Sequence, residues 1–123
     1  MYRICYMIIM QTTATPFQLT YYIDTSGKKP FKEWLYGLRD RAAFARIVTR
    51  LERVELGNLG DHKSVGAGVM ELRINYGPGY RIYFTQRGPD VVILLCGGDK
   101  RRQQRDIERA RELARRYDAQ SDT

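Results

Sequence analysis

The sequence predicts an α+β domain, because the periodicity of its apolar residues changes twice along the chain. Apolar residues recur at helical spacing in the first half, alternate with polar residues in the middle, and return to helical spacing near the end. The predicted order is one strand, two helices, three consecutive strands and a last helix. We expect a small antiparallel sheet with an N-terminal helical hairpin and a C-terminal helix. The length of 123 residues fits one domain.

The first half of the predicted domain is a short strand followed by the helical hairpin. Residues 19–23 (LTYYI) are a β-type run, and Pro30 suits the first helical position because its missing N–H is not needed there. Apolar side chains then recur at helical spacing over residues 30–39. Asp40 is a residue type that caps helix N-termini, and Gly57 stands where the second helix would end.

The second half is predicted to be three consecutive strands and a helix. Even positions are apolar and odd positions are polar in residues 70–76, and residues 80–85 alternate again. Residues 91–96 are all apolar, which predicts a strand that is central or covered on both faces. The glycines at 97–98 are expected to end that strand, and the last helix is predicted over residues 101–117.

These elements divide the chain into three segments. Residues 1–17 are an N-terminal extension, predicted to be an extra strand or a disordered arm, residues 18–117 are the domain, and residues 118–123 are a frayed tail. The basic start and the apolar stretch of the extension are short for a secretory signal. No apolar run reaches the roughly 18 residues of a membrane span. We therefore expect a cytoplasmic protein.

The net charge and the scarcity of metal-ligand residues limit the partners and cofactors that the protein could have. The chain has 21 Lys and Arg against 14 Asp and Glu, a net charge of +7, which favours RNA or DNA as the partner. It has only two cysteines and one histidine, whereas a structural zinc site needs about four clustered ligands. We expect no metal and no cofactor, and we interpret Cys96 as a small buried apolar residue.

Two arginines are predicted to face each other on the polar side of the paired strands. If residue 74 lies opposite residue 80, then Arg73 lies opposite Arg81, and like charges in that position repel each other. An anion between them would relieve the repulsion. Tyr83 shares this face and could stack on a base, and Asn75 could hydrogen-bond one. The alternative interpretation of these two residues is that they are ordinary half-exposed strand residues.

A second basic segment covers residues 99–117, with eight basic and four acidic residues. Lys100 directly follows the last strand and could reach the same face as Arg73 and Arg81. Most of the other charges could instead form a solvated helix face with pairs three or four residues apart.

Several sequence blocks resemble the RelE/ParE superfamily, and most closely its HigB-like "addiction module killer protein" toxins. The resemblance covers roughly residues 19–117. The blocks are FKEWL at 31–35, GLRDRA at 37–42, LGNLGD at 56–61, ELRINYGPGYRIYF at 71–84, LLCGGDK at 94–100 and RDI at 105–107. The resemblance implies a RelE-like fold and a toxin of a type II toxin–antitoxin pair.

The resemblance also implies an activity. RelE-like toxins cut mRNA in the ribosomal A site without a metal, by attack of the 2′-hydroxyl on the adjacent phosphate. Such chemistry needs positive charge on the developing phosphorane and a group that moves protons. Arg81 matches the phosphate-stabilising arginine of these toxins, Arg73 matches a basic residue of the preceding strand, and Lys100 matches a further basic residue.

The resemblance does not identify the residue that transfers protons. A tyrosine is frequent in or before the last helix of such toxins, and Asp106 stands there instead. The candidates are His62, in the loop before the strand, and Glu71, Asp99 and Tyr83. The expected catalytic set is Arg73, Arg81, Lys100, His62 and Glu71. The expected RNA-binding set is Tyr83, Asn75, Lys63, Arg101 and Arg102.

The resemblance implies a cognate antitoxin as partner, with a helix-turn-helix fold, beside the ribosome and mRNA. Operator DNA would be bound only through the antitoxin. A different class of function is also open, since ParE-like members inhibit DNA gyrase without cutting RNA. The three cations on one face favour the nuclease. A third alternative is an inactive remnant of a phage or plasmid toxin that still binds its antitoxin.

Overall fold

The computed structural model describes residues 16–121, which form a five-stranded mixed sheet with helices on both faces. Strand order across the sheet is β1-β5-β4-β3-β2, with β1 parallel to β5 and the other neighbours antiparallel. The elements in chain order are β1 (Gln18–Tyr21), α1 (Pro30–Tyr36), α2 (Arg41–Glu55), β2 (His62–Ser64), β3 (Val69–Ile74), β4 (Tyr80–Arg87), β5 (Val91–Asp99), a 3₁₀ turn (Lys100–Arg102) and α3 (Gln103–Ser121).

The α+β class is confirmed, but the prediction of an antiparallel sheet was wrong. The three-stranded meander leaves the outer edge of β5 free, and β1 pairs there in parallel, with Gln18 opposite Val91. The other edge carries β2, which the sequence did not predict. Its three residues are all exposed, so they show no alternation of apolar and polar positions. His62 therefore lies at the start of an edge strand and not in a loop.

The two N-terminal helices cover one face of the sheet. Asp40 caps α2 as predicted, accepting hydrogen bonds from the backbone N–H groups of Ala42 and Ala43 at 3.0 and 3.1 Å. Gly57 follows α2 with φ +91°, as expected for its C-terminal cap. Both helices contribute to one apolar cluster with the even positions of β3 and β4. The first helix ends at Tyr36, three residues earlier than predicted.

The opposite face of the sheet is also buried, contrary to the prediction of a polar surface there. Helix α3 packs on it, and Ile107 and Ala110 join Tyr83 and Ile93 in a second apolar cluster. The apolar run 91–96 required this cover, because its side chains point alternately to both faces. Polar side chains on this face are therefore enclosed, and only those near the ends of the strands reach solvent.

The C-terminal helix extends beyond the predicted tail boundary. It continues to Ser121, and Asp118 accepts hydrogen bonds from Nε and Nη2 of Arg87, each at 2.7 Å. This bidentate ion pair ties the last turns of α3 to β4, so residues 118–121 are not a frayed tail. The predicted extension of residues 1–17 lies outside the described residues except for Pro16 and Phe17. Within residues 16–121, no helix is long and apolar enough to cross a membrane.

Glycines 97 and 98 do not end β5, which continues to Asp99. Their role is to let side chains approach the strand from both faces. A β-carbon on Gly97 would overlap the indole ring of Trp34, and one on Gly98 would overlap the carboxylate of Asp106. The glycines thus belong to a continuous strand that is closely packed on each side.

Replacing Gly97 by alanine is expected to lower the free energy of unfolding by about 2 kcal/mol, the range typical of overpacked cores. The indole of Trp34 is held between the rings of Phe31 and Tyr80, at centroid distances of 5.7 and 6.2 Å, and has little room to move. Urea unfolding followed by circular dichroism measures the change. In a Trp34→Leu background the same substitution should cost much less, and equal costs in both backgrounds would contradict the steric explanation.

Candidate functional site

The candidate site is a cleft where the β3–β4 turn meets the residues that follow β5. Arg73 lies opposite Arg81 in the observed register, as predicted, and Arg81 lies opposite Gly98 of β5. Lys100 comes two residues after Gly98, so it arrives at the same end of the sheet. The cleft has a volume of about 290 Å³. Its lining consists of Asp61, Arg73, Asn75, Arg81, Lys100 and the turn residues 77–79.

Gly79 of the β3–β4 turn lies beside two cations of the cleft. It has φ +83°, and a β-carbon there would lie 3.4 Å from Cβ of Lys100 and 3.5 Å from Nη1 of Arg81. The same Nη1 is 3.3 Å from the carbonyl oxygen of Gly79. A residue with a side chain would be strained at this φ, although its β-carbon would make only ordinary van der Waals contacts with both cations. The glycine therefore permits the backbone conformation of the turn that lies beside Arg81 and Lys100.

The cleft carries more positive than negative charge. Among the described residues that line it, three cations face one carboxylate, that of Asp61, whose Oδ1 is 3.6 Å from Nε of Arg73. The side chain of Arg73 is 36 % exposed and that of Arg81 is 11 % exposed. Partial burial strengthens the field of these guanidinium groups, and their planar forks suit the oxygens of a phosphate.

Glu71 is the anion that lies between the two arginines. Its side chain is fully buried, and its two carboxylate oxygens are each 3.9 Å from the Nε atom of one arginine, Oε1 from Arg73 and Oε2 from Arg81. Oε2 also accepts hydrogen bonds from the hydroxyl of Tyr83 at 2.9 Å and from Nε2 of Gln103 at 3.0 Å. The chain itself thus relieves part of the repulsion expected between the facing arginines.

Two predicted site residues are enclosed by this network and do not line the cleft. Tyr83 is fully buried in the second apolar cluster, so the prediction that it stacks on a base was wrong. Burial and the hydrogen bond to Glu71 raise the pKa of Tyr83 far above its usual value, which keeps the phenol protonated. Glu71 is in contact with both arginines but not with the open space of the cleft, so it holds the cations in place.

The other predicted proton-transfer groups also lie outside the cleft lining. His62 is exposed on β2, and its Nδ1 is 2.7 Å from the carbonyl oxygen of Gly60. Asp99 caps the 3₁₀ turn, and its hydrogen bond with Arg101 lowers the pKa of Asp99. Asp61 does line the cleft, and sequence reasoning did not select it. The signal was present, because Asp61 ends the LGNLGD block at 56–61.

Arg50 is a second residue that sequence reasoning missed. Its guanidinium donates to the backbone carbonyls of Arg73 at 2.6 Å, Leu59 at 2.8 Å and Asp61 at 2.7 Å. It therefore joins the loop that carries Asp61 to the strand that carries Arg73. Burial lowers the pKa of Arg50, although an arginine remains charged in this setting.

The predicted RNA-binding residues divide into two groups. Asn75 is exposed and lines the cleft. Lys63, Arg101 and Arg102 are exposed but do not line it, and Nη2 of Arg101 lies 3.0 Å from Oδ2 of Asp99. Cys96 is buried as predicted, and burial raises the pKa of its thiol to about 12. No group of three or more His, Cys, Asp or Glu side chains in the described part of the chain could hold a metal ion.

The fold and the cleft define a small basic α+β protein with a cationic cleft at one end of its sheet. The chain belongs to the family of phage derived, Gp49-like proteins (DUF891), whose family model matches residues 33–118. This family is toxin-like. One relative, an uncharacterized protein of Haemophilus influenzae, is 49 % identical over 84 residues, covering 68 % of this chain and 85 % of the relative.

The assignment to the RelE/ParE superfamily and to its HigB-like toxins was therefore wrong, because the matching family is a different one. The motifs that suggested it serve local structural needs in this fold. The glycines of the β3–β4 turn adopt a positive φ, and Gly97 makes room for the ring of Trp34. Such needs can recur in unrelated small sheets, so short motifs of this kind do not distinguish families.

Proposed function

We propose that this protein is a toxin that inhibits translation by cutting mRNA on the ribosome. The observation that carries the proposal is the meeting of Arg73, Arg81 and Lys100 in one cleft. Three cations that converge on a space of about 290 Å³ suit a phosphate whose charge increases in the transition state. The net charge of +7 would favour binding to RNA at a rate and affinity that fall with salt.

The proposed step is attack of the RNA 2′-hydroxyl on the adjacent phosphorus without a metal ion. The O2′–P bond forms and the P–O5′ bond breaks, leaving a 2′,3′-cyclic phosphate and a free 5′-hydroxyl. Arg81 and Arg73 neutralise the phosphorane oxygens. Asp61 accepts the proton of the 2′-hydroxyl, and the ammonium of Lys100 donates a proton to the leaving 5′ oxygen. Protein side chains thus accept the proton that the 2′-hydroxyl loses and supply the proton that the 5′ oxygen gains.

We propose the ribosome as the site of action because the cleft has charged groups that bind a phosphate but few groups that would orient a flexible RNA strand. Asn75 is its only uncharged polar side chain among the described residues, and Tyr83 is buried. A substrate already held in position would supply the orientation that the cleft lacks. We also propose a cognate antitoxin, since the host of an active toxin must hold it inactive.

Induced expression in a bacterial host tests the proposal. We expect new 5′ ends within coding sequences of mRNA and an early loss of methionine incorporation. A purified ribosome–mRNA complex should yield fragments that end in a 2′,3′-cyclic phosphate in the presence of EDTA. Intact mRNA with thymidine incorporation failing first would contradict the proposal and would favour inhibition of DNA gyrase.

A further inference from the structure

A second concavity lies beside the cleft, along the exposed side of α2. Its volume is about 320 Å³, and α2 contributes Arg46, Thr49, Arg50 and Arg53 to its lining. We call it the α2 groove. Arg46 and Arg53 are seven residues apart on α2, which places them on one side of the helix about 10 Å apart along its axis. The groove thus presents a row of positive charge over two helical turns.

The α2 groove and the cleft share a wall. Asn75 lines both concavities. Behind this wall, Arg50 holds the backbone of Arg73 and of Asp61 with hydrogen bonds of 2.6 and 2.7 Å. The two concavities therefore adjoin at Asn75, and hydrogen bonds from Arg50 hold the backbone next to it.

Two cations of the groove, Arg46 and Arg53, have no carboxylate partner among the described residues, whereas Arg50 is engaged by backbone carbonyls. Neither Arg46 nor Arg53 forms an ion pair with a carboxylate within residues 16–121, and Arg53 is exposed. The guanidinium of Arg46 lies 4.3 Å from the centroid of the Tyr76 ring. This contact orients the group through one face and leaves its N–H donors for oxygens at its edge. By contrast, Arg115 and Arg116 on α3 both pair with Glu112.

We propose that the α2 groove binds the phosphate backbone of single-stranded RNA that flanks the phosphate held in the cleft. The inference rests on the proposed function, because it takes the cleft as the reacting site. Among the described residues, the lining offers arginines, Thr49 and Asn75 but no aromatic ring on which a base could stack, so its main contacts are with phosphates. Its contribution is sequence-independent affinity for strands long enough to span both concavities.

Binding of RNA that cannot be cleaved tests the inference. The probes are fluorescein-labelled 2′-O-methyl oligonucleotides of about three and about twelve nucleotides, because site sizes for single strands start near four nucleotides. The test variant is Arg46→Gln/Arg53→Gln, which keeps part of each aliphatic stem. The matched control is Arg115→Gln/Arg116→Gln, which removes the same charge from α3. Anisotropy is measured over a salt series, and melting temperatures check that both variants fold.

We expect the test variant to bind the longer probe about tenfold more weakly, with a salt slope reduced by about 1.4, which corresponds to two lost phosphate contacts. Its affinity for the short probe should equal that of the wild type, and the control should match the wild type on both probes. Equal loss in both double variants would overturn the inference, because it would show a general effect of net charge.

Three further outcomes separate the inference from the proposed function. If the wild type binds neither probe, the inference fails, and cleavage of mRNA in the ribosome complex, measured separately, decides whether the proposed function fails as well. If the wild type binds and cuts RNA but the test variant binds the long probe normally, the inference alone fails. If a poly-glutamate peptide binds in a way that depends on Arg46 and Arg53 while RNA does not, the groove belongs to an acidic protein partner and the inference is wrong.

Discussion

Arg81→Ala is expected to lower the rate of mRNA cleavage by about 10²–10³-fold, the usual cost of removing one donor to a developing oxyanion. Arg81 is the most buried cation of the cleft, with 11 % of its side chain exposed, so its field at the phosphate is the least screened by water. Toxicity on induction should be lost with it. The measurement is the single-turnover rate of cleavage in ribosome–mRNA complexes, together with colony counts after induction.

Two control variants test whether the loss of cleavage is specific to the guanidinium of Arg81. Arg115→Ala removes an exposed arginine that pairs with Glu112 on the far end of α3, and it should leave the rate unchanged. Arg81→Lys keeps the charge but not the planar fork, and it should recover only part of the activity. Melting temperatures exclude unfolding as the cause. A folded Arg81→Ala protein with the wild-type rate would show that the cleft is not the catalytic site.

Glu71→Ala is expected to lower the free energy of unfolding by about 3 kcal/mol, as for removal of one partner from a buried ionic network. The substitution leaves Arg73 and Arg81 opposite each other without the carboxylate between them. It also deprives the hydroxyl of Tyr83 and the amide of Gln103 of their acceptor. Urea unfolding measures the loss, and an unchanged slope m shows that the substitution changes stability and not the surface exposed on unfolding.

Graded substitutions separate charge from hydrogen bonding in the Glu71 network. Tyr83→Phe removes one hydrogen bond and should cost about 1 kcal/mol. Glu71→Gln keeps the shape and one acceptor but loses the negative charge, and it should fall between Tyr83→Phe and Glu71→Ala. If Glu71→Ala were as stable as the wild type, the two arginines would not need a counter-charge, and the role assigned to Glu71 would be wrong.

Local patterns predicted the elements that have strong periodicity or distinctive residues at their ends. The cap of α2 at Asp40 and the glycine after it were read correctly, because capping depends on neighbouring residues. The β3–β4 register, with Arg73 opposite Arg81, followed from the turn between them. Strand β2 was missed because three exposed residues have no periodic signal, and its pairing depends on β3.

The candidate site was only partly predictable for a related reason. Arg73, Arg81 and Lys100 could be placed together because two of them share a register and the third follows the next strand. Asp61 lies in the loop after α2 and Arg50 lies on α2, and only the fold brings Asp61 to the cleft and Arg50 to the backbone of Arg73. The sequence motifs also suggested a family that the comparison with the Gp49-like model overturned.

The amino-acid sequence by itself determined the class of the fold, the basic character of the protein and which cations meet at the turn. These properties follow from composition, periodicity and the pairing of neighbouring strands. Only the tertiary structure decided what lies on the polar face of the sheet. There α3 buries Tyr83 and Glu71, so a predicted base contact and a predicted proton-transfer group became supports for the arginines. Alternation separates the two faces of a strand, but the cover of each face is set by packing between distant elements.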